Sequence, residues 1–127
     1  MPPEAPVHVQ VGAGRLRIAA PTGLDRASLL AEVDIPVAHI VTVEVSERPG
    51  DAVKGWREGI GLPHLRMGTW RHDGVEDYVA IRTDIPGIIV TLVDEGYARL
   101  IVSAPDPQAL ADSIIGECET DRDASSK

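Results

Sequence analysis

The sequence predicts a mainly β protein, an antiparallel β-sandwich or partly open barrel of seven to eight strands capped by one C-terminal α-helix. Three observations lead to this prediction. Short apolar segments alternate with polar residues at a period of two, which is typical of half-buried strands. Gly, Pro and Asp cluster between these segments, as expected for turns. The stretch LIVSAPDPQALADSI at 100–114 then changes from a strand pattern to a helical one.

The length of 127 residues suits a single domain. A chain of this size buries roughly two thirds of its unfolded surface, so it can hold a core without metal or disulfide links. Val and Ile dominate that core, and β-branched residues favour strands. We expect a flexible arm at 1–6, one domain over 7–117 and a polar tail over 118–127.

The first half of the chain contains four predicted strands. Residues 7–11 and 15–20 alternate on either side of a GAG turn, which predicts a hairpin. LLAEVDI at 29–35 alternates again. IVTVEVS at 40–46 has the clearest pattern, with its three valines predicted inward. The segment 25–33 fits either a strand or a short helix that opens with SLLAE, and the sequence leaves both open.

The second half begins with a predicted long loop at 47–63, which holds four Gly and two Pro. HLRMGTWR at 64–71 and VEDYVAIR at 75–82 are predicted strands joined by a tight Asp-Gly turn. Two more predicted strands follow, IIVTLVD at 88–94 and YARLIVS at 97–103. Strands at this spacing favour a sandwich or small barrel.

The helix is predicted over about 105–117. Asp106 is a good N-cap, and Pro107 falls at the first helical position, where its missing N–H costs nothing. Apolar residues then recur at helical spacing and form one stripe. They are Leu110, Ala111, Ile114, Ile115 and Cys118. We expect Leu110 and Ile114 to be mostly buried where the helix closes the open side of the sandwich.

The net charge of -8 argues against a general nucleic-acid binder, which needs cations to displace counterions from phosphates. The longest nearly uninterrupted apolar run, IPGIIVTLV, is far shorter than the roughly 20 residues of a membrane span. MPPEAPVHVQ lacks the features of a signal peptide, so a cytoplasmic location is expected. Ten Arg against two Lys, with no Asn, suggest a bacterium with a GC-rich genome.

No pattern in the chain predicts a catalytic residue, a metal site or a cofactor. Four scattered histidines show no ligand spacing, and the lone Cys118 excludes an internal disulfide or a thiolate cluster. Cys118 is expected to be a buried structural thiol, because it falls on the apolar stripe of the helix. Asp73, Glu76 and Asp77 surround a turn, which accounts for Asp73 without acid–base chemistry.

A basic region at 48–72 is the candidate binding site. This segment contains five basic and two acidic residues, so its local net charge is +3 in a chain that is acidic overall. Aromatic and basic side chains of this kind often anchor partners or anionic ligands. The candidates are Trp56, Arg57, His64, Arg66, Trp70 and Arg71. The alternative is a solvated loop and strand face whose residues do not converge.

Three stretches resemble the bacterial pleckstrin-homology (PH)-like domain family. They are VDIPVAHIVTVEV at 33–45, LPHLRMGTWRHDG at 62–74 and IIVTLVDEGYARLIVSAPDPQALADSI at 88–114. The resemblance covers roughly residues 7–116. It implies a PH-like β-sandwich with a C-terminal cap helix, and a binding module without a defined reaction.

These observations predict a non-catalytic interaction module that binds a protein, with a second copy of the chain as one such partner. The alternative is a module that binds a small anionic ligand or a lipid headgroup through the 48–72 region, and an enzyme comes third. A homo-oligomer is predicted if a weakly charged strand, 40–46 or 88–94, lies at a sheet edge, because unpaired edge groups invite another strand.

Overall fold

A computed structural model describes residues 7–19, 33–53, 56–61 and 65–125, with the backbone alone for 56–61 and 123–125. These residues form nine strands and one α-helix. The strands are β1 His8–Gly12, β2 Arg15–Ala19, β3 Val33–Pro36, β4 Ile40–Ser46, β5 Trp56–Gly61, β6 Leu65–His72, β7 Val75–Arg82, β8 Gly87–Leu92 and β9 Arg99–Ser103. The helix is α1, Pro107–Ser125, and short 3-10 turns lie at Val37–His39 and Pro49–Ala52.

The strands form two sheets that pack against each other with α1 at their side. One sheet has the order β1-β2-β3, and the other has the order β4-β8-β9-β7-β6-β5. The predicted mainly β fold with a C-terminal helix is therefore confirmed. The prediction of purely antiparallel sheets is not, because β7 and β9 pair in parallel.

The parallel pair arises because β9 inserts between β7 and β8. The chain therefore leaves β7 without forming a hairpin, returns along β8, and comes back up as β9 beside β7. Ser103, at the end of β9, stabilises the point where the chain leaves β7. Its Oγ accepts from the Arg82 N–H at 2.9 Å and donates to the Arg82 carbonyl oxygen at 3.1 Å.

Two tight turns predicted from sequence have two consecutive residues with positive φ, which Gly14, Asp73 and Gly74 favour and which Ala13 adopts at a steric cost. Ala13 and Gly14 join β1 to β2 with φ of 53° and 76°, and Asp73 and Gly74 join β6 to β7 with φ of 51° and 81°. Two consecutive positive φ values define the turn that matches the twist of a hairpin. Local turn chemistry therefore sets both hairpin registers.

The six-stranded sheet is covered on both faces. One face packs against the three-stranded sheet and α1 and forms the main core. Its fully buried side chains include Leu16, Ile18, Met67, Tyr78, Ile88, Leu100 and Ile114. The other face carries a second, smaller cluster, which packs against Ala52 and Val53 next to the Pro49–Ala52 turn. Its buried members are Trp70, Val79, Ile81 and Ile101.

Helix α1 begins as predicted and buries most of the predicted stripe. The Ala109 N–H donates to Asp106 Oδ1 at 3.2 Å, which confirms Asp106 as the N-cap. Ala111, Ile114 and Cys118 are buried, and Leu110 is partly buried and packs against the main core, so the expectation for Leu110 and Ile114 is confirmed. Ile115, predicted in the same stripe, is 41% exposed. The helix turns its i, i+3, i+7 face to the core.

Other boundaries also differ from those predicted. Strand β5 lies inside the segment 47–63 that was predicted as a loop, because its pairing with β6 offsets its high glycine content. Helix α1 runs past its predicted end at 117 to Ser125, because Cys118 still packs against the core and Glu119, Arg122 and Ala124 favour the helix. The predicted arm at 1–6 and the undecided segment 25–32 lie outside the described residues.

Gly87, at the start of β8, is expected to tolerate no side chain. A Cβ built there would lie 2.0 Å from the Val102 carbonyl oxygen of the neighbouring strand β9. Gly87→Ala must therefore push β8 and β9 apart, and we expect a loss of about 1–3 kcal/mol in the free energy of unfolding, measured by urea denaturation. Gly96→Ala is the matched control, because a Cβ at Gly96 meets nothing within 4 Å. Equal midpoints for the two variants would contradict this expectation.

Candidate functional site

The structure places the predicted binding residues in different surroundings. Trp56 and Arg57 belong to β5, and their side chains lie outside the described part of the chain, as does the whole of His64. Trp70 is only 6% exposed and packs in the smaller cluster with Val79. Trp70 is therefore a core residue in this structure, and an incoming partner does not meet it as an exposed anchor.

The two arginines of this set that have described side chains, Arg66 and Arg71, diverge. They lie five residues apart on β6, so they project to opposite faces of the sheet. Arg66 lies on the side of the Pro49–Ala52 turn, where a Cβ at Gly50 would come within 3.9 Å of its Nη1. Arg71 is exposed, and its Nε donates to Glu76 Oε1 at 3.0 Å. Arg66 and Arg71 therefore do not converge on one point.

A buried ionic cluster lies beside this region and was not predicted. The side chain of Asp77 is fully buried, and its Oδ2 lies 2.5 Å from Arg99 Nη2, 3.1 Å from Arg99 Nε and 2.6 Å from His72 Nε2. Asp77 Oδ1 is also buried, and no described residue forms a hydrogen bond with it. A sequence signal existed, because Asp77 alternates with the apolar Val79 and Ile81 and therefore had to lie on a buried face.

The cluster ties the Pro49–Ala52 turn to the sheet. Arg99 Nη2 also donates to the Ala52 carbonyl oxygen at 3.0 Å, so one guanidinium links β9, β7 and the turn. The described partners of His72 are Asp73, Asp77 and Arg99. Through these contacts the cluster acts as a structural clamp between β6, β7, β9 and the turn.

A second histidine contact fixes the start of β4. His39 Nδ1 contacts Glu95 Oε2, and the Val93 N–H donates to the His39 carbonyl oxygen at 2.9 Å. These bonds attach the 93–96 turn to the residue that precedes β4. The position of β4 at the margin of the sheet is therefore supported at its first residue as well as along its pairing with β8.

Strand β4 is an edge strand. It pairs with β8 on one side, and no described segment pairs with its outer side. With seven residues it is longer than the other edge strands of the two sheets, β1, β3 and β5. Glu44 is its only charged residue. Natural edges are usually shortened, charged or covered, because their unpaired N–H and C=O groups accept another strand.

The outer part of β4 carries exposed apolar side chains. Val41 is 56% exposed and Val45 is 41% exposed, whereas Val43 is half-buried against the core. The prediction that all three valines point inward was therefore wrong for Val41 and Val45. A register shift between Ile40 and Thr42 displaces Val41, and β4 extends past the part of the core that α1 covers.

A groove runs between β4 and α1. Val41 and Val43 line it on the strand, and Ile115, Glu119 and Arg122 line it on the helix. The helix contributes an exposed isoleucine and one charge of each sign. We call this surface, together with the open edge of β4, the β4–α1 groove. An extended backbone added to β4 would place alternate side chains in it.

Cys118 lies beneath the groove and is expected to react slowly. The residue is 9% exposed, and its thiol donates to the Val37 carbonyl oxygen at 3.8 Å. Burial raises the pKa of this thiol above its ordinary value, so near neutral pH it stays protonated and little of the reactive thiolate forms. Iodoacetamide should therefore label Cys118 much more slowly in the native protein than in urea at the same pH. Equal rates would contradict a buried thiol.

Other site classes find no support in the described residues. Among them, no group of three or more His, Cys, Asp or Glu side chains is placed to hold a metal ion. None of the helices in the described ranges combines the length and apolar composition of a membrane span. No protein-family model, curated protein or solved structure matches this chain.

Proposed function

We propose that this protein is a non-catalytic, PH-like interaction module of the bacterial cytoplasm that binds a protein partner by adding a strand to β4. The observation that supports this most directly is the open, weakly charged edge of β4 beside an apolar groove. The packing of two sheets with one C-terminal helix is compatible with the PH-like class that the sequence resembles.

The physical basis is β-strand addition. An incoming extended segment forms main-chain hydrogen bonds with the free N–H and C=O groups of the edge, which supplies affinity. Its alternate side chains enter the groove, where Val43 and Ile115 offer apolar contacts and Glu119 and Arg122 offer one charge of each sign. The bound segment would become the seventh strand of the larger sheet, next to β4.

The alternative, an anionic ligand bound by the 48–72 region, has less support. Arg66 and Arg71 project to opposite faces of β6, and Arg71 already pairs with Glu76. Phosphate and carboxylate groups are bound most strongly where several donors converge on one point. No observation on the described residues supplies that convergence, so we propose the edge strand as the binding surface.

A charge placed on the β4 edge is expected to abolish this binding. Lys on an edge strand opposes the addition of another strand, because pairing would desolvate its ammonium group. The probe is a peptide selected against the protein from a random display library. We expect Val45→Lys to weaken its binding by about tenfold or more, which corresponds to about 1.4 kcal/mol, measured by isothermal titration calorimetry.

Val75→Lys is the matched control. Val75 is 40% exposed against 41% for Val45, but it lies at the β6–β7 hairpin and not on β4. The peptide should bind this variant as it binds the natural chain, and its amide chemical-shift changes should map to residues 40–46. Equal losses for both variants, or shift changes confined to other strands, would overturn the proposal.

A further inference from the structure

We propose that the outer face of the three-stranded sheet is a second binding surface, which holds an extended acidic segment of a partner protein through Arg15 and Arg17. This surface lies on a different sheet from β4, so it does not depend on the strand addition proposed above. The inference follows from the exposure of the two arginines, from the contacts that orient them and from the distance between them.

Alternation along β2 places both arginines on the outward face of the sheet. Leu16 and Ile18 are fully buried in the main core, so Arg15 and Arg17 project away from it. The Arg17 side chain is 61% exposed, and that of Arg15 is 41% exposed. Because β2 is the central strand, the two guanidinium groups lie side by side in the middle of this face, in a chain whose net charge is -8.

Asp34 of β3 orients the two arginines. It stands directly opposite Arg17, and its Oδ1 lies 2.6 Å from Arg15 Nε and 3.7 Å from Arg17 Nε. Arg15 Nη2 also donates to the Asp34 carbonyl oxygen at 3.2 Å. The hydrogen bond from Arg15 holds the pKa of the Asp34 carboxyl below its usual value, so this group stays ionised near neutral pH. One carboxylate therefore positions two positive charges and balances only one of them.

The remaining guanidinium nitrogens are available to a partner. No described residue forms a hydrogen bond with Arg17 Nη1 or Nη2, or with Arg15 Nη1. On β1, Gln10 stands opposite Arg17 and Gly12 stands opposite Arg15, and these four residues line a hollow. Gly12 has open space where a Cβ would lie, so a ligand can approach the backbone there. A carboxylate in the hollow can accept paired N–H bonds from a guanidinium group.

The spacing of the arginines favours an extended acidic segment over one compact anion. Residues two apart on a strand are separated by about 6.6 Å and share a face. An extended partner with acidic residues at alternate positions presents its carboxylates at the same spacing and on one side. The point at which Arg15 and Arg17 converge is already occupied by the Asp34 carboxylate, which would repel a phosphate group placed there.

A pair of peptides tests this geometry. The probe is a capped threonine peptide with two glutamates at alternate positions, and the comparison peptide has the same composition with its two glutamates adjacent, so that an extended chain directs them to opposite sides. Binding is followed by NMR titration of backbone amides and of arginine Nε–H groups. We expect the probe to shift Arg15, Arg17 and the neighbouring β1 amides in a saturable way. The comparison peptide should bind about fivefold more weakly, as expected if one exposed charge pair is lost.

Arg17→Gln should weaken binding of the probe about fivefold for the same reason. Arg82→Gln is the matched control, because it removes the same charge from a 37% exposed arginine that pairs with Asp84 on the other sheet. Binding to this control should equal binding to the natural chain, and thermal melting checks that both variants fold. Equal losses in the two variants, or equal affinities for the two peptides, would show an effect of net charge alone and overturn the inference.

The same titration separates this surface from other anion sites and from β4. Inorganic phosphate that shifts the Arg17 Nε–H at the same concentration as the probe would show a site for a compact anion and overturn the acidic segment. The absence of saturable shifts with the probe would also overturn it. Val45→Lys should bind the probe as the natural chain does, and a loss confined to this variant would place the acidic segment at β4 instead. None of these results changes the test of the proposed function, which uses a different peptide.

Discussion

Arg99→Met is expected to lower the free energy of unfolding by about 3–5 kcal/mol, the usual result of removing one partner from a buried ion pair. Two nitrogens of the Arg99 guanidinium contact Asp77 Oδ2, and the Asp77 side chain is fully buried. Without the guanidinium, the carboxylate keeps only His72 as a described partner. The bond from Arg99 to the Ala52 carbonyl oxygen is lost as well. Urea denaturation measures the effect.

The double variant Asp77→Leu/Arg99→Met is the control. Replacing both members of a buried pair with apolar residues is often neutral or stabilising, so the double variant should recover most of the lost stability. That recovery would show that the isolated carboxylate caused the loss. A single variant as stable as the natural protein would mean that the cluster does not clamp the turn, and a double variant less stable than the single one would point to a packing effect.

Ile114→Ala is expected to cost about 2–5 kcal/mol, the range for large-to-small changes in a packed core. Ile114 is fully buried at the centre of the stripe through which α1 closes the main core. Removing its outer carbons leaves a cavity between the helix and the two sheets. The measurement is the urea midpoint at an unchanged denaturant slope, since a change in slope would report an altered denatured or native state.

The neighbouring Ile115 supplies a matched control on the same helix. The residue type and substitution are the same, but Ile115 is 41% exposed. At low protein concentration Ile115→Ala should therefore change stability by no more than about 0.5 kcal/mol, as surface substitutions usually do. Equal losses at the two positions would show that α1 does not pack as described.

Features set by local chemistry were predictable from the sequence. Gly14 and Asp73-Gly74 favour positive φ, and Asp106 followed by Pro107 marks a helix start, so the two hairpins and the N-cap were predicted at the correct residues. Each of these features depends on neighbours within a few positions. Tertiary contacts therefore have little effect on the conformation of these turns and of the helix start.

Features set by contacts between distant residues were not predictable in the same way. The insertion of β9 between β7 and β8 depends on which strand pairs with which, and alternation does not record pairing partners. The exposure of Val41 follows from a register shift at the start of β4, and period-two alternation does not record such a shift. The exposure of Ile115, next to the buried Ile114, likewise depends on which face of the helix the sheets contact.

The candidate site was likewise predictable from the sequence only in part. The sequence showed that IVTVEVS carries a single charge. That low charge favours the addition of another strand only if the segment lies at a sheet edge. Its edge position became known only from the strand order. The basic region was visible too, but alternation along β6 places Arg66 and Arg71 on opposite faces, so local net charge alone did not indicate convergence.

Amide hydrogen exchange of residues 40–46 tests the central claim, that β4 is the surface through which this protein binds another strand. Exchange is followed by mass spectrometry with and without the peptide selected against the protein. We predict that the peptide increases the protection of residues 40–46, while β5 at the opposite edge of the same sheet exchanges at an unchanged rate. Unchanged exchange at 40–46, or protection that develops at β5 instead, would contradict the claim.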